Sequence, residues 1–267
     1  MKYAGMPFGM WTLFAPSFRN QLTAVFGYGT NTAKAITKKA KPKYREIISE
    51  LPEFEKDDRF KMNLVNCAMK ETYLSRDFRE TAAQCFPSQA KELNAFFDAR
   101  LNVLLAENAD ASKEKQYHLQ RQILPGIAAY EALQRVMPKE EALQIVHGYV
   151  ERLARTSHKQ LATLLLIPGL YRLVPGVFVK STRNVFGPAA GFNSKELQVG
   201  NGIWRVDMMK CPYHDTCVAY GCPELCCCFC DSDDIKYTGL HPKLIWHRTK
   251  TLGRGDDRCD FCMKIMK

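Results

Sequence analysis

A cysteine acts as a nucleophile or a soft-metal ligand only as its thiolate, so a dense group of them marks where chemistry is concentrated. Nine of the eleven cysteines of this chain lie between Cys211 and Cys262, in CPYHDTCVAYGCPELCCCFCDSDD and then HPKLIWHRTKTLGRGDDRCDFC. Cys211, Cys217, Cys222 and Cys226 follow one another after gaps of five, four and three residues, with His214 in the first gap. That is neither zinc-finger nor ferredoxin spacing, so the thiols permit zinc or an iron-sulfur cluster without demanding either. The candidate metal set is Cys211, Cys226, Cys230 and Cys259. Cys259 and Cys262 form a Cys-x-x-Cys, but residues three apart on a regular strand face opposite sides of a sheet.

Carboxylates stand beside the thiols. Cys230 and Asp233 are three apart, which on a helical turn puts thiol and carboxylate on one face. Asp233 could then serve as a general base or orient a water. The competing reading is structural: Asp231, Ser232 or Asp233 caps a helix start. Arg248 has the geometry to clamp a substrate carboxylate through two parallel hydrogen bonds.

The elements that must position these groups are mostly helices. Phe18, Leu22, Val25 and Phe26 recur at helical spacing after Ser17, and further patterns follow through Tyr44–Leu51 and Phe60–Ala68. The clearest helix runs from Ser88 to about Glu107, with Leu93, Phe96, Phe97, Leu101, Leu104 and Leu105 on one stripe. Another is interrupted at Pro125 and Gly126, and a longer one starts at Pro138 with Leu143, Val146, Val150 and Leu153 inward. His147 and His158 read as satisfied or solvated, and Cys67 and Cys85 as buried structural thiols. Leu161–Val179 is a helix end followed by an apolar loop, its Pro-Gly breaks and Arg172 arguing against a membrane span.

The period changes from helical to alternating near Gly200. Trp204, Val206 and Met208 point one way, Arg205 and Asp207 the other, and further strands are expected over Leu244–Thr251 and Cys259–Ile265 around a hairpin loop at Gly253–Asp257. The fold class is α+β: a helical domain over residues 1–195, and a small antiparallel sheet over 196–267 that carries the cysteine-rich site and packs on it. In a simple three-stranded meander Cys211 and Cys259 would lie at opposite ends, about 20–30 Å apart. Only another strand order, or a fold of the 211–230 segment back across the sheet, would unite them.

Composition narrows the function classes. With 267 residues, 46% hydrophobic and 25% charged, the core is large enough to fold without disulfides. No secretory leader is evident, so a reducing cytoplasmic location is expected, with thiols free or ligating. The net charge of +10 raises a nucleic-acid reading, but Lys34–Arg45 lacks interleaved aromatics and reads as a solvated face. No nucleic-acid partner is expected. A positive field would also steer an acidic small molecule, and self-association is left open.

Cys230-x-x-Asp233, then Pro242 to Arg248-Thr249-x-Thr251-Leu252, then Gly255 and Cys259-Asp260-Phe261 resemble the C-terminal signature of the L-2-amino-thiazoline-4-carboxylic acid hydrolase family. The N-terminal stretches over residues 1–54 and 60–69 are similar to members of that family too. The resemblance implies a cytoplasmic hydrolase that opens a carbon-nitrogen-sulfur ring of a small carboxylated substrate to a carbamoyl-cysteine type product. Cys230 or a metal-bound water would be the nucleophile, Asp233 or Asp260 the acid-base partner with Cys259 in the same motif, and Arg248 and Thr249 the substrate contacts. The chain departs from the pattern at Cys226, Cys227 and Cys228, which favours a soft metal. Two other readings stand beside it: a cysteine-ligated zinc or iron-sulfur module without turnover, and a redox-sensing thiol cluster.

Overall fold

The computed structural model describes residues 72–266. The expected helices upstream, the basic run and Cys67 lie outside the described residues.

Thr72 opens helix α1 (Tyr73–Cys85) by accepting the Ser75 amide, and Leu74, Phe78 and Ala82 form its buried stripe. Helix α2 (Ala90–Glu107) buries Leu93, Phe97 and Leu104 from the expected stripe, and its Phe97 stacks on Phe78 at 4.6 Å. Cys85, expected to be buried, is exposed because it ends α1 on the outer side.

Helix α3 (Lys113–His118) leads into a wide π turn over Leu119–Ile123 and then helix α4 (Leu124–Leu133). Pro125 offers no backbone N–H, so the turn before it loosens rather than breaks. Nine of the ten residues of α4 are buried, which makes it the central rod of the helical body. Helix α5 (Lys139–Leu164) starts just after Pro138 and buries Val146 and Val150 as its period dictates. A short 3-10 turn (Leu170–Leu173) and helix α6 (Val174–Asn184) then replace the expected apolar loop. None of the described helices is long and apolar enough to cross a membrane.

The sheet has four strands: β1 (Asn193–Gly200), β2 (Ile203–Lys210), β3 (Leu244–His247) and β4 (Cys259–Ile265). Their order is β1-β2-β4-β3, every pair antiparallel. Strand β1 was not expected. It joins β2 through Asn201 and Gly202, both at positive φ (51° and 79°), the conformation a two-residue hairpin turn requires. Trp204, Val206 and Met208 are buried on the inner face as the alternation dictates, and β4 lays Met263, Phe261 and Cys259 opposite them.

The direct pairing of β2 with β4 replaces the meander. Met208 pairs with Cys259, so Cys211, just past the end of β2, lies at the same end of the sheet as Cys259. A second correction concerns what carries the cysteines. Only Cys259 and Cys262 are on strands; Cys217 lies in helix α7 (Pro212–Ala219), and Cys226, Cys227, Cys228 and Cys230 lie in helix α8 (Leu225–Tyr237). A thiol buries as readily as a small hydrophobe, so LCCCFC supplies the apolar residues of a helix. Helix α8 packs along α5, with the His147 ring against Asp231 at 3.1 Å and the His158 ring against the Lys236 carbonyl at 3.0 Å.

Candidate active site

Helix α8 and the inner face of the sheet are the two walls of the site. Successive turns of α8 bring Cys226, Cys230, Asp233 and Tyr237 to one stripe, spaced four, three and four apart. Asp231, Ser232 and Asp233 therefore sit well inside the helix, and the capping reading of them fails. Strand β4 supplies Cys259 and Phe261, and the loop between β3 and β4 closes one end through a 3-10 turn, Leu252–Arg254.

Cys230 is the focus. Its Sγ is 3.9 Å from the Sγ of Cys226. Gly253 is held so close that a methyl group added to it would lie 3.0 Å from the Cys230 sulfur and 3.2 Å from that of Cys226. A side chain there would push the thiols away, so glycine is what allows the loop to approach. The Cys230 thiol is shifted below its ordinary value, first by the hydrogen bond from Cys226, then, against burial, by the Arg248 guanidinium and the Gly253 backbone. Cys226, the donor, is pushed the other way. Burial raises Cys211, Cys227 and Cys262, and takes Cys259 up to about 11 and Cys228 up to about 12. Cys230 is thus set apart from its neighbours as the thiol most ready to ionise.

Asp233, one turn along, leaves 40% of its side chain accessible, yet the surrounding protein desolvates it enough to raise its carboxyl. Cys211 and Tyr213 share this character: each keeps some exposure while burial pushes its acidic group up.

Arg248 is placed otherwise than a substrate clamp would be. Only 1% of its side chain is exposed. It donates to the Cys230 carbonyl (2.8 Å) and to Asp234 Oδ2, lies 3.9 Å from Asp233, and stacks over the Phe261 ring at 5.3 Å. A buried cation fixed this way ties α8 to the sheet and places positive charge beside Cys230.

Among the remaining expected residues, Cys259 accepts the Leu252 amide at 3.3 Å and lines the thiol end. Asp260 lies on the opposite face of the sheet, paired across with Asp207. Its carboxylate accepts from the Thr249 amide (2.8 Å), the Thr249 hydroxyl (2.5 Å) and the Lys250 amide (2.6 Å), so Asp260 and Thr249 hold each other and the loop. The structure therefore brings Cys211, Cys226, Cys230, Asp233, Arg248 and Cys259 to one region and leaves Asp260 and Thr249 outside it. Of the expected metal set, Cys226 and Cys230 are adjacent and Cys211 and Cys259 within electrostatic reach, but no group of three or more His, Cys, Asp or Glu among the described residues is arranged to hold a metal ion.

Sequence reasoning did not single out the hydrogen-bond role of Cys226, the close approach of Gly253, or Lys236 and Tyr237 further along α8. The signal for three of them was present, because Cys226 is four residues before Cys230, and Lys236 and Tyr237 are three and four after Asp233.

The described site falls inside a match to a known family. The family model described as L-2-amino-thiazoline-4-carboxylic acid hydrolase matches residues 116–263, more than half of the chain. That span includes Cys211, Cys226, Cys230, Asp233, Arg248 and Cys259, and starts downstream of the two N-terminal stretches. No curated protein and no solved structure matches the chain. With the thiol end of the sheet, the α8 stripe and the loop of Gly253 all inside the matched span, the chain belongs to the L-2-amino-thiazoline-4-carboxylic acid hydrolase family.

Proposed function

We propose that the protein hydrolyses the ring of a 2-amino-thiazoline-4-carboxylate or a related cyclic amidine, with Cys230 as nucleophile and Asp233 as its acid-base partner. The carrying observation is the placement of Cys230: a thiol facing the Cys226 thiol across 3.9 Å, a buried guanidinium bonded to its own carbonyl, and a partly exposed carboxyl one turn away.

The chemistry balances with one water. The Cys230 thiolate adds to the amidinium carbon of the ring, and the carbon-nitrogen π electrons move onto nitrogen. The ring carbon-sulfur bond then breaks as the amidinium re-forms, and the departing sulfur takes the proton of Asp233. Its raised pKa suits that carboxyl to arrive protonated. Water next adds to the enzyme-bound carbon, Asp233 accepts its proton, and Cys230 leaves as thiolate, giving an N-carbamoyl cysteine. Cys226 donates to the Cys230 sulfur whenever it is anionic, and Arg248 supplies the field. Asp260 and Thr249 act through the loop that carries Gly253. The free thiols among the described residues accord with work in a reducing cytoplasm.

Ring opening liberates a thiol, so a thiol-reactive chromophore follows turnover directly. The reading expects thiol release by the wild type and none by Cys230→Ser, with equal far-ultraviolet circular dichroism. Full release by the serine variant would remove Cys230 from the mechanism. Loss of turnover on chelation, with metal recovered in stoichiometric amount, would replace the thiolate by a metal-bound water.

A further inference from the structure

Ring opening asks two opposite things of one neighbourhood: positive charge beside Cys230, and a proton kept on Asp233. A single cation, Arg248, lies next to both. A guanidinium that pairs closely with a carboxyl group favours its ionised form, which would take the acid away.

The two demands are separated through Asp234. Its Oδ1 accepts from Trp246 Nε1 at 2.8 Å and its Oδ2 from Arg248 Nη2 at 2.5 Å. Trp246 is on β3 and Arg248 two residues further on, so both side chains leave the same side of an extended chain and meet the two oxygens of one carboxylate. The same Nη2 donates to the Cys230 carbonyl at 2.8 Å, and the Phe261 ring lies against the guanidinium at 5.3 Å. Held at these points, Arg248 stops with Nη1 3.9 Å from Asp233, beyond hydrogen-bond range. Asp233 and Asp234 expose 40% and 41% of their side chains, so it is the placement of Arg248, not burial, that tells them apart.

We infer that Asp234 is a positioning residue: by engaging Arg248 it holds the guanidinium on the Cys230 carbonyl and out of hydrogen-bond reach of Asp233, which leaves the Asp233 carboxyl free to carry a proton. The inference rests on the hydrolase reading for what that proton does, and on the geometry for how it is kept. The raised Asp233 carboxyl accords with it, burial outweighing the attraction of Arg248. The other titratable groups facing Asp233 are Cys230, Asp234, Lys236 and Tyr237 of α8, Tyr213 of α7 and Cys259 of β4.

The test follows the Asp233 carboxyl itself, with no substrate present, by carbon-13 NMR of aspartate-labelled protein and assignment by loss of the signal in Asp233→Asn. In the wild type its titration midpoint should lie above the ordinary aspartate value of about 3.9. A midpoint at or below that value overturns the inference without any change at Asp234. Asp234→Asn keeps the size of the side chain but offers one acceptor to two donors and carries no charge. Arg248, with 1% of its side chain exposed, then turns to Asp233, the other carboxylate within 4 Å of it. The midpoint should fall by about one pH unit or more, and return towards its wild-type position in Asp234→Glu. Arg248→Gln should raise the midpoint further in the Asp234→Asn background than in the wild type, because only there is Arg248 paired with Asp233. Equal rises, or a midpoint unmoved in Asp234→Asn, overturn the inference; a merely structural Asp234 would lower thermal stability and leave the midpoint in place. The alkaline fall of thiol release should move to lower pH with the midpoint. If the midpoint moves as described while the wild type releases no thiol at any pH, the hydrolase reading fails and the assignment of Asp234 stands.

Discussion

Cys226→Ala removes the donor that faces Cys230 across 3.9 Å and changes no charge. A hydrogen bond to an ionised group contributes about 1.5–3 kcal/mol, and a long sulfur-sulfur contact belongs at the low end. One pKa unit corresponds to about 1.4 kcal/mol, so the Cys230 midpoint should rise by about one unit. The Arg248 guanidinium and the Gly253 backbone remain, so part of the depression should survive. The assay is the pH dependence of alkylation by limiting iodoacetamide, followed at the Cys230 peptide by mass spectrometry. Below the midpoint the rate should fall about tenfold in Cys226→Ala, because only the thiolate reacts. Cys226→Ser restores a hydroxyl donor and should return part of the rate. If Cys226→Ala leaves the midpoint in place, or lowers it, the thiol pair is packing and the account of how Cys230 is activated is wrong.

Other outcomes follow from the same geometry. Gly253→Ala places a methyl group 3.0 Å from the Cys230 sulfur, so alkylation and thiol release should both drop about tenfold or more while thermal stability changes little; unchanged kinetics would show that the loop does not shape the site. Gly126→Ala sets a methyl group 2.7 Å from the buried Phe229 ring between α4 and α8. Overpacking of about 1–3 kcal/mol exceeds the helix-propensity gain of about 1 kcal/mol, so the urea midpoint should fall; a rise would contradict the close packing. Asp260 is held below the usual carboxylate range, burial opposing and the Thr249 and Lys250 hydrogen bonds winning. Its stabilisation is present above the unfolded carboxyl value and is lost as pH falls through the lower folded one. Asp260→Asn should therefore cost about 1 kcal/mol at neutral pH, reduced by solvent exposure, and flatten the acid limb of the stability curve, as pH-resolved denaturation would report.

Much of this architecture was legible because apolar periodicity reports burial. The stripe of Leu93, Phe97 and Leu104 and the alternation of Trp204, Val206 and Met208 were readable for that reason. Strand β1 was missed because NSKELQVG is an edge strand, largely exposed and without alternation. Asn201-Gly202 was its one usable sign, since that dipeptide favours the positive φ of a tight hairpin. The strand order was not legible at all. A meander and the observed order use the same strands, and only the β2–β4 pairing brings Cys211 to Cys259. Helix α8 was half legible: the three-residue spacing of Cys230 and Asp233 pointed to one helical face, but thiols in LCCCFC carry no periodic signal of their own. Arg248 shows the limit most plainly, because alternation places a residue on a face and says nothing of the carboxylates waiting on the next element.

The most direct test of the central claim is intact-protein mass spectrometry of enzyme mixed with excess 2-amino-thiazoline-4-carboxylate and quenched in acid during turnover. A covalent Cys230 intermediate predicts a mass increase equal to one substrate molecule, mapped to the peptide containing Cys230 and absent from Cys230→Ser. Asp233→Asn, which lacks both the acid for ring opening and the base for the second step, should release thiol far more slowly than the wild type. Hydrolysis by the wild type with no adduct, together with thiol release by Cys230→Ser, would contradict the account.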